Sequence, residues 1–420
     1  MPFRILIATD VFPPVCGGSG WSTYELARGL RSRGHEIVVV KAEREGGTAA
    51  AEYDGFRIVA FPARAPRVPF VRNYVRNERF YPRLAAFLGD IVARERIDLV
   101  HAQHVLTGPA SVRAARAAAV PSVCTVRDYW PVCYWGDLIH DFDADDLCPR
   151  CSAPGMTRCL RARAGRIWPL AVPMIPYMQA NLRMKRRDLS GADAVVAVSR
   201  RIAADLRSRA PELAGTRIET IPNPVDVSRL RAEVAQAGPP LDRPYALYVG
   251  KLARNKGVGC LVDVVERARL DLPLVVVGDG PERARLAQAA ARSAREIVLQ
   301  RWLPPAEVFR WLRHAALLVF PSRGPESLSR VLLEAAALEV PIAAMETGGT
   351  ADILEHERTA LLSRSPEQLA HDVARLAADR ALAERLGAAA GAMMEERFDA
   401  PVVLARMERL YGELVEACRL

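Results

Sequence analysis

Only four of the 58 basic residues are lysine, and two of those, Lys251 and Lys256, stand five residues apart in YALYVGKLARNKGVGCLVDV. A compact ammonium approaches phosphate differently from a planar guanidinium, so the pair is singled out in a chain that otherwise uses arginine. A strand runs into Gly250, Lys251 follows at once, and Lys256-Gly257 opens the next helix. Two ammonium groups and a helix N-terminus then converge, the outline of a diphosphate site, with solvated surface lysines as the alternative. A second constellation lies in PSRGPESLSRVLLEAAALEVPIAAMETGGTADIL, where Glu326 and Glu334 are eight residues apart. A wholly helical interval would separate them by about 12 Å, roughly the reach from a sugar ring to a nucleotide's ribose. Glu334 stands among Leu332, Leu333 and Ala335 to Ala337, where an idle charge is costly. Gly17, Gly18 and Gly20 lie between the first strand and its helix, where backbone amides can approach an anion; a plain tight turn reads equally well.

Three further features are less specific. Four of the eight cysteines, Cys133, Cys148, Cys151 and Cys159, crowd into one loop, which suits either a structural zinc bound by four thiolates or free thiols. The neighbouring DFDAD at Asp141 to Asp145 reads as a solvated acidic loop. Ile167 to Met178 is mainly apolar, is broken by Pro169, Pro173 and Pro176, and is followed by Arg183, Lys185, Arg186 and Arg187. Such a stretch could lie on an anionic membrane surface or pack on the domain core with a solvated basic end.

These residues need a scaffold. Short β-branched runs alternate with amphipathic stretches from Ile5 to Val126, resume from Ala194 to Ile221, and start afresh at Tyr245, the signature of parallel βαβ units. Ala235 to Arg243, reading AQAGPPLDR, looks like an interdomain connection. The expected architecture is α/β with two Rossmann-like doubly wound domains facing across a cleft that holds the ligand. Residues 1–235 form the first domain, with a cysteine-rich loop at 133–159; residues 243–398 form the second; 399–420 form a terminal helix that could pack back on the first. A composition of 50% hydrophobic and 25% charged residues excludes disordered and collagen-like classes. No apolar run reaches the roughly 18 residues of a membrane span, and the expected location is the cytoplasm. The formal charge of +9 suits polyanions, anionic lipids and phosphorylated small molecules alike, and dispersed arginines rank nucleic acid last.

The order of the glycine loop, GK…NKG, VVVGDGPER, PES…LLEAAA and ETGGTADIL resembles the GT-B superfamily of retaining glycosyltransferases, specifically its family four, over nearly the whole chain. The resemblance implies transfer of a sugar from a nucleoside-diphosphate sugar, with retention, to a glycan, lipid-linked or small-molecule acceptor, and no metal in the chemistry. It implies that Lys251 and Lys256 bind the diphosphate, Glu326 contacts the donor sugar and Glu334 holds the ribose. Gly17, Gly18, Gly250, Ser327, Leu328 and Ser329 complete the implied donor site. Arg127, in CTVRDYWPVC, stands where relatives commonly carry a histidine, and it joins the implied catalytic set. His101, His104 and Asp128 are acceptor-side candidates. The departure at Arg127 motivates an alternative, a non-catalytic nucleotide-sugar-binding relative acting as a regulatory or partner subunit. The lipid-linked acceptor would bring the protein to the inner membrane face.

Overall fold

A computed structural model describes residues 2–43, 52–66, 68–141 and 146–419. The chain divides into two compact units, one of Met1–His140, Cys148–Pro224 and Val403–Leu420, the other of Asp141–Leu147 and Val225–Val402.

The first unit is built on an eight-stranded sheet. From one edge the strands are Ile218–Thr220, Ala194–Ala197, Ser122–Val126, Leu99–Ala102, Arg4–Thr9, Glu36–Glu43, Phe56–Pro62 and Glu52–Tyr53. Every pairing is parallel except the last. Apolar residues run continuously along the central strands because helices cover both faces, and Leu6, Ile7, Leu99, Val100, Val195 and Val196 are wholly buried. The second unit has six parallel strands, in the order Ile297–Gln300, Leu274–Val277, Ala246–Val249, Leu317–Phe320, Ile342–Met345 and Leu361–Ser363. Ser152, Ser199, Asp226, Ser365 and Asp379 start helices by accepting from the amide three residues on. Both units are the parallel α/β type expected of the GT-B fold.

Two boundaries differ from the sequence reading. The stretch 235–243 is irregular but lies inside the second unit, tied down where Arg310 donates to Gly238 O at 2.8 Å and His314 Nε2 meets Ala237 O at 2.7 Å. The helix Val227–Val234 also belongs to the second unit, so the division falls at Pro224 and not at residue 235. Its capping residue Asp226 follows a bridge between Val225 and Asp399, which anchors this segment beside the end of the helix Arg380–Arg397.

Residues 403–420 belong to the first unit. His101 is fully buried there; Nδ1 lies 2.6 Å from the Tyr411 hydroxyl and Nε2 lies 2.7 Å from Thr125 Oγ1. Burial first, and then the charge of Arg127, pull its pKa from 6.5 to about 3. The unfolded chain therefore takes up a proton near pH 6.5 that the folded chain refuses until about pH 3. Stability from this group is complete above 6.5 and is lost as the pH falls, by about 2 kcal/mol at pH 5. Melting curves from about pH 7.5 to 5 should show this decline, with a shallower one in His101→Gln. Equal pH slopes in the two proteins would reject the assignment.

Candidate functional site

In the second unit three loops meet at the carboxyl ends of adjacent strands. The first follows Ala246–Val249 and carries Gly250, Lys251 and the turn Arg254–Lys256. The second follows Leu317–Phe320 and carries Ser322 and Glu326, and the third follows Ile342–Met345 and carries Thr347 to Gly349. Asn255 stitches the first to the second, its carbonyl accepting from the amides of Arg323 at 3.1 Å and Gly324 at 2.8 Å. The third is fixed to the second by Thr347 Oγ1 donating to Ser322 O at 3.1 Å and by Gly349 N donating to Glu326 O at 2.6 Å.

Two glycines make this approach feasible. Gly257 has φ +68°, and a Cβ there would lie 1.8 Å from Pro321 O; Gly348 has φ +55°, and a Cβ would lie 2.1 Å from Glu326 O. Any side chain at either position would be strained by the backbone angle and would push the Glu326 loop away.

Lys256 Nζ donates to Glu326 Oε1 at 2.7 Å, and the Ser322 hydroxyl donates to the same oxygen. Glu326 is 7% exposed and Lys256 presents about a third of its side chain, so the ammonium is the open end of a pair whose carboxylate is the closed end. Beside them Tyr248 is buried; desolvation, and then the Glu326 charge, raise its phenol pKa, and it stays a neutral donor to Lys251 O. Lys251 is exposed and has no carboxylate partner among the described residues. Ser327 to Ser329 lead into the helix Arg330–Ala337, which carries the buried Glu334, hydrogen-bonded to Arg330 Nε at 2.6 Å. Glu326 to Ser329 are not helical, so the 12 Å separation of a continuous helix does not apply between the two glutamates. The structure thus brings Lys256 and Glu326 into direct contact on loops that also carry Lys251, and puts Glu334 on the helix that follows. Asn255 and Ser322 position this group together with Thr347 of the TGGT turn; Asn255 and Ser322 were not singled out in the sequence, and the NKG turn and the polar residue just after a strand were the available signals.

In the first unit, Gly17 precedes and Gly18 opens the helix Gly18–Ser32. Arg127 is buried at the end of Ser122–Val126, donating to Gln103 Oε1 and Asn223 Oδ1. His104 Nδ1 lies 3.0 Å from Thr9 Oγ1, and Asp128 Oδ1 accepts from Trp130 N at 2.8 Å in a turn. Asp10, which sequence reading missed, accepts from the amides of Leu106 and Thr107, both at 3.2 Å, ahead of the helix Gly108–Ala117. His101 is corrected from acceptor candidate to core residue, since both ring nitrogens are engaged and no surface is left for a ligand. Lys185, expected in a solvated basic end, is 5% exposed instead. Burial pulls its pKa down to about 8, while the charges of Asp128, Glu78 and Asp10 act the other way.

The four cysteines of the metal reading all lie in the first unit. Cys133, Cys148 and Cys159 are buried and Cys151 partly so, but among the described residues no group of three or more His, Cys, Asp or Glu is placed to hold a metal ion. Cys159 Sγ lies 3.2 Å from His140 Nδ1, and the Cys148 thiol donates to Arg150 O at 3.4 Å. Burial is the largest cause raising the Cys159 thiol to about 12 and the Cys151 thiol to about 11, and the neighbouring cysteines of the group add to it. Of the DFDAD run, residues 142–145 lie outside the described residues.

Comparison with known proteins follows this geometry. Residues 16–229 match the family described as Glycosyltransferase Family 4, and residues 243–379 match Glycosyl transferases group 1. The chain is 28% identical over 207 residues to the putative teichuronic acid biosynthesis glycosyltransferase TuaC of Bacillus subtilis, covering 47% of this chain and 50% of that protein. It thus spans about half the length of that relative. Over 391 residues it is 27% identical to a GDP-mannose-dependent alpha-mannosyltransferase of Mycobacterium tuberculosis, covering 88% of this chain and 87% of that one. Among solved structures, sucrose-phosphate synthase from Thermosynechococcus elongatus superposes with a TM-score of 0.74 at 19% identity, covering 99% of this chain and 100% of that one. Anabaena Alr3699/HepE in complex with UDP superposes with a TM-score of 0.68 at 17% identity, covering 98% and 100%. These two share the fold. The family match extends over half of the chain and the second match over most of the remainder, and the chain belongs to glycosyltransferase family 4.

Proposed function

We propose that the protein transfers a sugar from a nucleoside-diphosphate sugar to a glycan, lipid-linked or small-molecule acceptor, with retention at the anomeric carbon. The observation that carries this reading is the Lys256–Glu326 contact at the mouth of the second sheet, with Lys251 on the same loop. Relatives and neighbours named for GDP-mannose or solved with UDP support a nucleotide-linked donor.

In this reading the barrier is separation of an oxocarbenium-like sugar from the diphosphate, and fixed positive charge on the leaving group is the main lever. Lys251 and Lys256 neutralise that group and supply this charge without a metal ion. Glu326 orients Lys256 and faces the donor sugar, while Glu334 accepts hydrogen bonds from the ribose hydroxyls. Eight cysteines free of disulfides support a reducing compartment, hence the cytoplasm. No helix among the described residues is long and apolar enough to cross a membrane, and the protein would meet a lipid-linked acceptor peripherally, at the inner face.

The test is a thermal-shift and hydrolysis screen with UDP-, GDP-, ADP- and dTDP-sugars, because a ligand of the folded state must raise Tm. One clear hit with slow release of the nucleoside diphosphate supports the transferase. Stabilisation without release, even with acceptors added, supports the non-catalytic relative, and no stabilisation by any donor overturns the site. Retention is read from the anomeric proton coupling of the product. Glu334→Gln keeps the shape of the side chain and removes its charge, so the KM for the donor should rise roughly tenfold with little change in kcat. An unchanged KM would remove Glu334 from the ribose role.

A further inference from the structure

The formal charge of +9 has an address. Between Cys148 and Arg187 the sequence holds nine lysines and arginines and no aspartate or glutamate, which leaves 49 residues of each sign in the rest of the chain. Arg163 and Arg186 of this segment are paired with Asp137 and Glu212 and Lys185 is buried, so its open positive charge sits on the other arginines.

That segment folds into the helix Ala153–Ala164, a short turn Gly165–Ile167, the helix Trp168–Ala171 and the helix Ile175–Leu189. Its apolar residues are sorted into two sets. Met156, Leu160, Ala171, Ile175 and Met178 are buried together in a small core of their own, which fastens the helices to one another. Ile167 and Leu170 take no part in it, and they are 66% and 80% exposed. Three residues apart, at the end of one short turn and within the next, both stand in solvent. Pro169 and Pro173 keep this stretch from continuing as one long helix, so it is shaped to lie along a surface.

Basic residues surround the exposed pair. Arg166 is exposed next to Ile167, and Arg158 and Arg161 are exposed three apart on the preceding helix. The Arg161 guanidinium lies 5.6 Å from the centre of the Trp168 ring, which fixes an indole at the edge of the patch. None of these three arginines has a carboxylate partner among the described residues. A side chain such as Ile167 gains nothing from a solvated polyanion, which offers charge and base stacking. A bilayer with anionic head groups takes both halves of the patch: arginines at the phosphates, tryptophan at the interface, and the two aliphatic tips among the acyl chains.

We propose that Ile167, Leu170 and the arginines around them dock the protein on an anionic lipid surface. This gives the peripheral contact of the transferase reading its residues, and it is testable without donor or acceptor, so either can fail alone. The full-length protein is floated with vesicles of phosphatidylcholine, and with vesicles in which about 30 mol% is phosphatidylglycerol, at low and high salt. Three proteins are compared: wild type, Ile167→Ser/Leu170→Ser, and Arg158→Gln/Arg161→Gln/Arg166→Gln. All five side chains are exposed, and an unchanged Tm verifies the fold. Wild type should float with the anionic vesicles, less so at high salt, and stay behind with the neutral ones. The aliphatic double variant should partition at least about tenfold more weakly, and the arginine triple variant should lose its preference for phosphatidylglycerol. Wild type that fails to float, or floats equally with both vesicles, overturns the proposal. So does an aliphatic double variant that floats like wild type. Heparin binding that is untouched by the double variant, together with no flotation, would assign the patch to a soluble polyanion instead.

Discussion

Lys256→Ala should lower kcat/KM by about 100- to 1000-fold, the loss that follows removal of one group stabilising developing negative charge. The ammonium is the exposed member of its pair, so its removal opens no cavity. Glu326 keeps the Ser322 hydroxyl, and the loop keeps its stitches from Asn255 and Gly349, so Tm should move little. Lys256→Arg tests whether charge alone suffices. A planar guanidinium of different length cannot place the charge at the same point beside Glu326, and rescue should be partial. Lys251→Ala removes a charge that is more exposed and more strongly screened, so its effect should be the smaller of the two. Full activity in Lys256→Ala would sink the assigned role, whereas a collapse in Tm would mean that the Glu326 loop depends on the ion pair. Donor stabilisation separates the two, since an intact site that has lost only leaving-group stabilisation still binds the nucleotide.

How much of this could be read in advance depends on the range of the interactions. Parallel strands buried on both faces announce themselves locally, and Leu274–Val277 or Leu317–Phe320 need no partner to be recognised as strands. The candidate site residues of the second unit were legible because glycine, lysine and glutamate sit on loops next to those strands. Long-range pairing was not legible. His101 looked like a residue facing a cleft because its partner Tyr411 is 310 residues away. Lys185 looked like the middle of a solvated run, yet its helix turns it onto Tyr134, 5.8 Å from the ring centre. The stretch 235–243 has a linker's composition, and only the carbonyl contacts from Arg310 and His314 make it part of a domain. For the cysteines, proximity in sequence suggested a shared ligand; the fold keeps the four near one another, but among the described residues no three of them are placed to hold a metal ion.

Tyr411→Ala should cost about 3–5 kcal/mol of stability, the range for deleting a fully buried aromatic side chain. The helix Ala400–Arg419 belongs to the first unit from Val403 onward, and Val403, Leu404, Met407, Leu410 and Tyr411 are buried along it. Leu404 reaches so close to Gly29 that a Cβ on that glycine would lie 2.4 Å from its methyl. Glu408 accepts from Arg33 Nε at 2.7 Å and lies 3.0 Å from His35 Nε2. Tyr411 adds the hydroxyl that shares a hydrogen bond with His101, so the alanine variant leaves both a cavity and a buried ring nitrogen without its partner. Tyr411→Phe isolates the second effect and should cost about 1 kcal/mol. For a unit of this size the alanine variant should bring the first melting transition down by about 10 °C and the phenylalanine variant by about 3 °C. Equal melting of Tyr411→Ala and wild type would show that the terminal helix contributes little to the first unit. Equal, large losses in both variants would place the stabilisation in the hydroxyl and not in packing. A larger loss in alanine than in phenylalanine is the outcome that the buried ring and its single hydrogen bond require.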